Sequence, residues 1–245
     1  MKTITVREAN SRIARYRGDL GLVIEEVIVP TPEPKGWSDR EVLIPCGFTG
    51  SLYFQTEGVN VSIGSSFRKG HKKDEEGKPY LDGLILEAVV ERGMVFAQNV
   101  SHSFFDIIVR GCEEIGTGIK LQDCQSLALC ATLTNIGIQD PYLTGQGYGV
   151  IVQDCEACII SDVQVSGARY GVSLTGSSEA MQIVNVFGHV LVAHVDFHSG
   201  EHLRPIVAGV ASVKDGNETF GGGSVDGQFY GVEELRRVEK VLSIS

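Results

Sequence analysis

The chain has no apolar run long enough to cross a membrane, and its opening residues, MKTITVREANSRIARY, put charges where the apolar core of a signal peptide would have to lie. Neither membrane insertion nor a cleaved leader is expected, and synthesis in the cytoplasm is. Basic residues are scarce: 21 Lys and Arg stand against 31 Asp and Glu, a formal charge of −10. Binding a polyanion over a broad surface needs clustered Lys and Arg, so nucleic acid is not an expected partner. Metal signatures are missing too. Cys155 and Cys158 make one CxxC, without a second CxxC or a paired His at ligand spacing, so zinc is the weaker reading and no metal or cofactor is expected. Prolines number only seven, beside thirty glycines and many Val and Ile, which favours short strands and tight turns over long helices.

What is present suffices for a core: 245 residues, 42% of them hydrophobic, enough for one large domain or two small ones. Six cysteines, Cys46, Cys112, Cys124, Cys130, Cys155 and Cys158, are an even number, but without an export signal they read as reduced core residues rather than a disulfide framework.

The strongest signal is internal repetition. GIKLQDC at 118–124 returns as GVIVQDC at 149–155, and MVFAQNV at 94–100 and GVSLTGS at 171–177 share the pattern. Each alternates apolar residues with period two and then reaches a small residue suited to a tight bend: Asn99, Asp123, Asp154 and Gly176. The spacings are 24, 31 and 22 residues, the middle one enlarged by an insertion in IQDPYLTGQGYG, where Pro141 and the glycines exclude regular structure. A second strand and corner follow in each unit, around Asp106, Asn135, Asp162 and Asn185. Repeats of this length with no helix between the strands predict a chain coiling into a parallel β solenoid, with coils ~4.8 Å apart.

On the GIKLQDC and GVIVQDC strands and the SDVQVSG corner, the sequence resembles the right-handed parallel β-helix superfamily, the pectin-lyase-like fold, over about residues 80 to 200. The resemblance implies an all-β right-handed parallel β-helix, and, for tail spikes with this fold, a homotrimer. A β-helix lyase of the pectate type would add an acidic calcium cluster and a catalytic Arg or Lys; here Arg169 is isolated and no Asp-rich calcium motif is present. Open solenoid ends must be covered. REANSRIARYRG suits a short amphipathic helix, and GVEELRRVEKVL places Val232, Leu235, Val238 and Leu242 at helical spacing. The expected division is an N-terminal cap at 1–20, the β-helix at 21–213, and a C-terminal loop and capping helix at 214–245.

Candidate binding residues lie on the outward positions. Gln98, Gln122, Gln153 and Thr175 form an uncharged hydrogen-bonding row that suits a hydroxyl-rich polymer, or else a solvated face of stacked amides. Tyr142 and Tyr148 in the insertion, with Arg169 and Tyr170 one coil later, are placed to border that row. Asp123 and Asp154 read as corner residues rather than a catalytic pair, and Cys124 and Cys155 as a stacked interior pair. Acid/base candidates come from HVLVAHVDFHSGEH, where alternation puts His194, Asp196 and His198 outward and Leu191, Ala193, Val195 and Phe197 inward. A glycosidase needs two carboxylates at a defined separation, and Asp140 and Glu156 are candidates without an identifiable pairing.

These features favour a carbohydrate-facing component of a bacteriophage tail spike or fibre that binds or degrades bacterial surface polysaccharide, released in the virion. A polysaccharide lyase, hydrolase or epimerase outside a virion is the second expectation, and a non-catalytic structural or interaction solenoid the third.

Overall fold

The computed structural model describes residues 6–8, 14–17, 22–24, 27–28, 40–44, 50–57, 60–64, 81–111, 116–137, 147–215 and 224–237. Alternation along the repeated phrase sends Val150 and Val152 to the interior and leaves Ile151 and Gln153 facing out. Each such strand pairs in parallel with its counterparts in the coils before and after, giving an all-β parallel solenoid. Along the first face the register runs Val42, Val61, Val95, Ile119, Val150, Val172, Val195, Val213 and Leu235. The expected spacings are the observed ones, since Val95 pairs with Ile119, Ile119 with Val150, and Val150 with Val172.

A second face stacks Leu52, Leu86, Phe105, Leu129, Ile160, Ile183, Val207 and Phe229 in register. The third is narrow: Ser101, Gln125, Glu156, Glu179, Leu203 and Asp226 pair in turn. The interior is therefore a set of aliphatic ladders, and Val95, Ile119, Val150, Val172, Val195 and Val213 are all fully buried. Burying one such side chain is worth ~1.5–3 kcal/mol relative to leaving it exposed.

The corners are built from left-handed backbone. Asn99, Asp123, Asp154 and Gly176 all have φ between 52° and 69°, forming the expected column. The N–H of each of the first three donates to the carbonyl just ahead of the next corner: Asn99 to Gln122 at 3.1 Å, Asp123 to Gln153 at 3.0 Å, Asp154 to Thr175 at 3.3 Å. A second column, unforeseen in the sequence, comprises Gly83, His102, Ser126, Ala157, Ala180 and Arg204, all with positive φ, and each of the first five donates its N–H to the next coil. A left-handed L-residue costs ~1–2 kcal/mol, which the otherwise unmet N–H and carbonyl groups of the bend offset.

The second set of expected corners divides. Asp162 and Asn185 do stack, both with positive φ, and the Asn185 amide donates to Asp162 Oδ1 at 3.1 Å. Asn135 belongs to another column, donating its N–H to Ser166 and packing on Gly167, and Asp106 lies mid-strand within Phe104–Arg110. The corner residues resemble one another in type, and only the register separates the columns.

The terminal helices are corrected. Ala14–Arg17 is a strand antiparallel to Gly50–Glu57, and Val6–Glu8 is antiparallel to Leu22–Ile24. At the other end Glu234–Arg237 extends Ser212–Asp215 in parallel, so stacking continues beyond 213. An open sheet edge presents a row of backbone donors and acceptors, and an added strand satisfies them where a helix cannot.

Candidate functional site

The outer side of the first face carries two rows. Gln98, Gln122, Gln153 and Thr175 are in register as expected, and His198, which follows the Leu174–Phe197 pair and donates its N–H to Leu174 at 2.9 Å, continues them. Gln98 and Gln122 turn their amides toward one acceptor, Asp123 Oδ2, at 3.2 and 3.4 Å. Beside this row run Phe96, Lys120, Ile151, Ser173, Asp196 and Lys214. Lys120 sits over the Phe96 ring, 5.5 Å from its centroid.

The second row dives under cover as it advances. Ser173 is fully buried, Asp196 is 1% exposed and Lys214 7%, although alternation aims all three away from the interior. Two tyrosines lie with them. Tyr148 and Tyr170 pair in register and stack with centroids 5.5 Å apart. Lys214 Nζ donates to the Tyr170 hydroxyl at 3.4 Å and also lies 5.5 Å from that ring's centroid, so the ring reaches two coils along the outer face. The residue after each tyrosine is glycine because the coils touch there: a Cβ on Gly149 would lie 2.5 Å from the Gly171 carbonyl oxygen, and one on Gly171 would lie 2.5 Å from that of His194. Arg169 adds its guanidinium over the Tyr170 ring at 5.4 Å, and Tyr148 meets His198 edge-on at 6.3 Å.

Asp196 is the centre of this group. Its Oδ2 accepts from the Ser173 hydroxyl at 3.1 Å and pairs with His198 Nδ1 at 3.3 Å, while Oδ1 is buried and has no hydrogen-bond partner. Burial pushes the Asp196 carboxyl up from its usual range, against the opposing pull of Lys214, His198 and the Ser173 hydroxyl. Tyr148 is also pushed up, first by burial and then by Tyr170 and Asp196, so its phenol stays protonated at neutral pH.

His194, expected beside Asp196 in an acid/base role, is tied elsewhere. Its Nδ1 lies 2.9 Å from the Ser212 hydroxyl and its Nε2 3.2 Å from the Gly188 carbonyl, which uses both ring nitrogens to bind a turn to the next coil. Ala193, Val195 and Phe197 point inward as read, but Leu191 is 50% exposed, because it falls within a register shift, between the paired residues Val190 and Ala193. Asp140 and Tyr142 lie outside the described residues. The sequence reading missed Ser173 and Lys214. Ser173 was legible as the counterpart of Ile151; Lys214 was not, because its coil comes only 18 residues after the preceding one, Val195 to Val213. No group of three or more His, Cys, Asp or Glu suited to a metal occurs among the described residues.

No protein-family model matches the chain, and no curated protein is similar to it in sequence. Among solved structures it is similar to an alginate lyase from Paenibacillus sp. str. FPU-7, at 11% identity and a TM-score of 0.35, over 81% of this chain and 91% of that one. An alignment that loose transfers neither a substrate nor a residue's role.

Proposed function

We propose that the outer side of the first face binds polysaccharide and that the group around Asp196 cleaves an acidic glycan by β-elimination. The observation that carries this is Asp196 itself: a carboxylate on an outward position, 1% exposed, with one oxygen unpartnered. A solvated face has no reason to bear that cost, whereas a site that recognises or moves a proton does.

A polymer suits the shape, because the rows repeat every ~4.8 Å along an open face. Elimination suits the residue types better than hydrolysis. A glycosidase works with two carboxylates, ~5 to 9.5 Å apart, and Glu156, the other described candidate, belongs to the third face. Elimination from a uronate needs positive charge near the sugar carboxylate, supplied by Arg169 and Lys214, together with a base and an acid. His198, oriented by Asp196 through Nδ1, uses Nε2 to take the proton beside the sugar carboxylate. The released electron pair forms the C=C bond as the glycosidic C–O bond breaks, and the leaving oxygen takes the Tyr148 phenolic proton. Solvent then returns a proton from His198 to Tyr148.

A tail-spike or fibre setting keeps this chemistry and adds a trimeric virion part directed at a host surface; sedimentation mass and adsorption to host cells test that addition. The main test is a panel of uronate-containing and neutral bacterial polysaccharides, assayed for binding and for ultraviolet absorbance of unsaturated ends. Expected is absorbance with an acidic member, lost in Asp196→Asn and His198→Ala. Cleavage without unsaturated ends, or an unchanged rate in both variants, overturns elimination; no binding to any member overturns the glycan reading.

A further inference from the structure

Apolar residues on the outside of the second face are as ordered as those within. Ile85, Phe104, Ala128, Ile159, Gln182 and Ile206 pair in one outward row, interrupted by a single amide. Ile85 is 46% exposed, Phe104 42%, Ile159 40% and Ile206 36%; Phe187 and Tyr230, at 48% and 55%, stand on other outward rows of the same face. Among the described residues, six of the eight large exposed hydrophobics therefore share one of three faces, where a solvated sheet would alternate apolar-in with polar-out.

From this placement we infer that the outer side of the second face is where copies of this chain associate, side by side along the solenoid. Two features select a second copy over other occupants. The first is periodicity. The row repeats at the coil spacing of ~4.8 Å, and a partner that meets it rung by rung must repeat equally; the same face of another copy does. The second is area. A strand such as Phe104–Arg110, 7 residues long, spans ~20 Å, and the eight stacked strands of this face span ~34 Å, giving ~700 Å² per copy. That is close to the ~800 Å² per partner of standard-size stable interfaces. The row's aliphatic character also argues against a sugar ligand, because sugar rings pack on aromatic faces and here three of the four large residues in the row are isoleucine. The interface does not depend on the glycan reading, since the first face, with Asp196 and the tyrosines, stays uncovered.

The test is sedimentation equilibrium of the full chain across a hundredfold concentration range, beside Phe104→Glu, Ile159→Glu and their double variant. These positions are exposed, so the variants should keep the parent circular dichroism and melting temperature at low concentration. Expected is a parent mass of two or more 26.4 kDa chains and a double variant at one chain. A control on the third face, Glu156→Lys, should keep the parent mass. A parent that stays monomeric throughout overturns the inference, as does a folded double variant that keeps the parent mass. If the double variant fails to fold, the single variants decide by the same criterion.

Discussion

At the scale of single residues, Asp196 has the clearest consequence. Its folded-state pKa is raised by burial above the unfolded value of about 3.9, so the folded chain holds this proton more tightly. As pH rises from about 4, the unfolded chain releases the proton first and stability falls, until the folded carboxyl has ionised as well. Asp196→Asn lacks this titration. Its melting temperature minus that of the parent should therefore climb between about pH 4 and neutrality; a difference that stays flat with pH would show that the side chain is not held up by its surroundings. The corner carboxylates behave differently. Asp154 Oδ1 accepts the Ser177 N–H at 2.9 Å, while Asp123 accepts from two glutamine amides, and Asn99 already occupies the same column. In urea denaturation, Asp154→Asn should cost under ~1 kcal/mol, since Asn adopts left-handed backbone and still accepts a bond. Asp154→Leu should cost ~1–3 kcal/mol through the lost acceptor. Equal losses in the two variants would mean that the carboxylate charge, not the corner, is what matters.

At the scale of an element, the interior ladder behind the first corner changes character along the solenoid. It passes from Val100 through Cys124 and Cys155 to Ser178 and His202, all buried. Cys124 and Cys155 are free thiols, in keeping with the sequence reading, and Cys155 is pushed up by its bond with Cys124 and by burial. The ladder ends on an imidazole held by the Ser178 hydroxyl at 2.7 Å and the Ser199 carbonyl at 3.1 Å, packed 5.3 Å from the Phe197 ring. Burial lowers the His202 pKa, so the unfolded chain binds that proton first as pH falls. The stability contribution is complete above about pH 6.5 and declines as pH falls through and below that value. Thermal melts should show a drop between pH 7 and 5 that is shallower in His202→Gln; an identical drop in the variant would move the acid sensitivity to other groups. The corners show what the sequence does and does not reveal at this scale. Asn99, Asp123, Asp154 and Gly176 are residues that favour left-handed backbone, so that column was legible. His102, Ser126, Ala157 and Ala180 have no such preference in common, and their conformation is imposed by N–H groups that must meet the next coil.

At the scale of the molecule, a chain of formal charge −10 offers acidic polymers an unfavourable field, against which Arg169, Lys214 and Lys120 form a local exception on the first face. Binding of a uronate polymer through that group should weaken as ionic strength rises, because screening removes the attraction of Arg169 and Lys120, which are partly exposed, while buried Lys214 is screened less. Affinity electrophoresis at low and high salt measures this. Binding indifferent to salt would assign recognition to the uncharged glutamine row and the tyrosine rings instead.

The sequence by itself determined the coil. Period-two alternation, a bend residue at a fixed offset and a phrase repeated at 24, 31 and 22 residues are local features, written within each strand, and they specify stacking whatever lies elsewhere in the chain. It also marked the glutamine row, set Tyr148, Arg169 and Tyr170 together at its border, and singled out Asp196 apart from them. What only the tertiary structure decided is how rows from different coils meet. Coils of unequal length put Lys214 beside Asp196, let the Tyr170 ring span two coils, and separated His194 from its expected partner by turning it to Ser212 and Gly188. The ends were decided in the same way: an unpaired sheet edge needs backbone partners, and that need is a property of the stacked solenoid rather than of the segments that meet it.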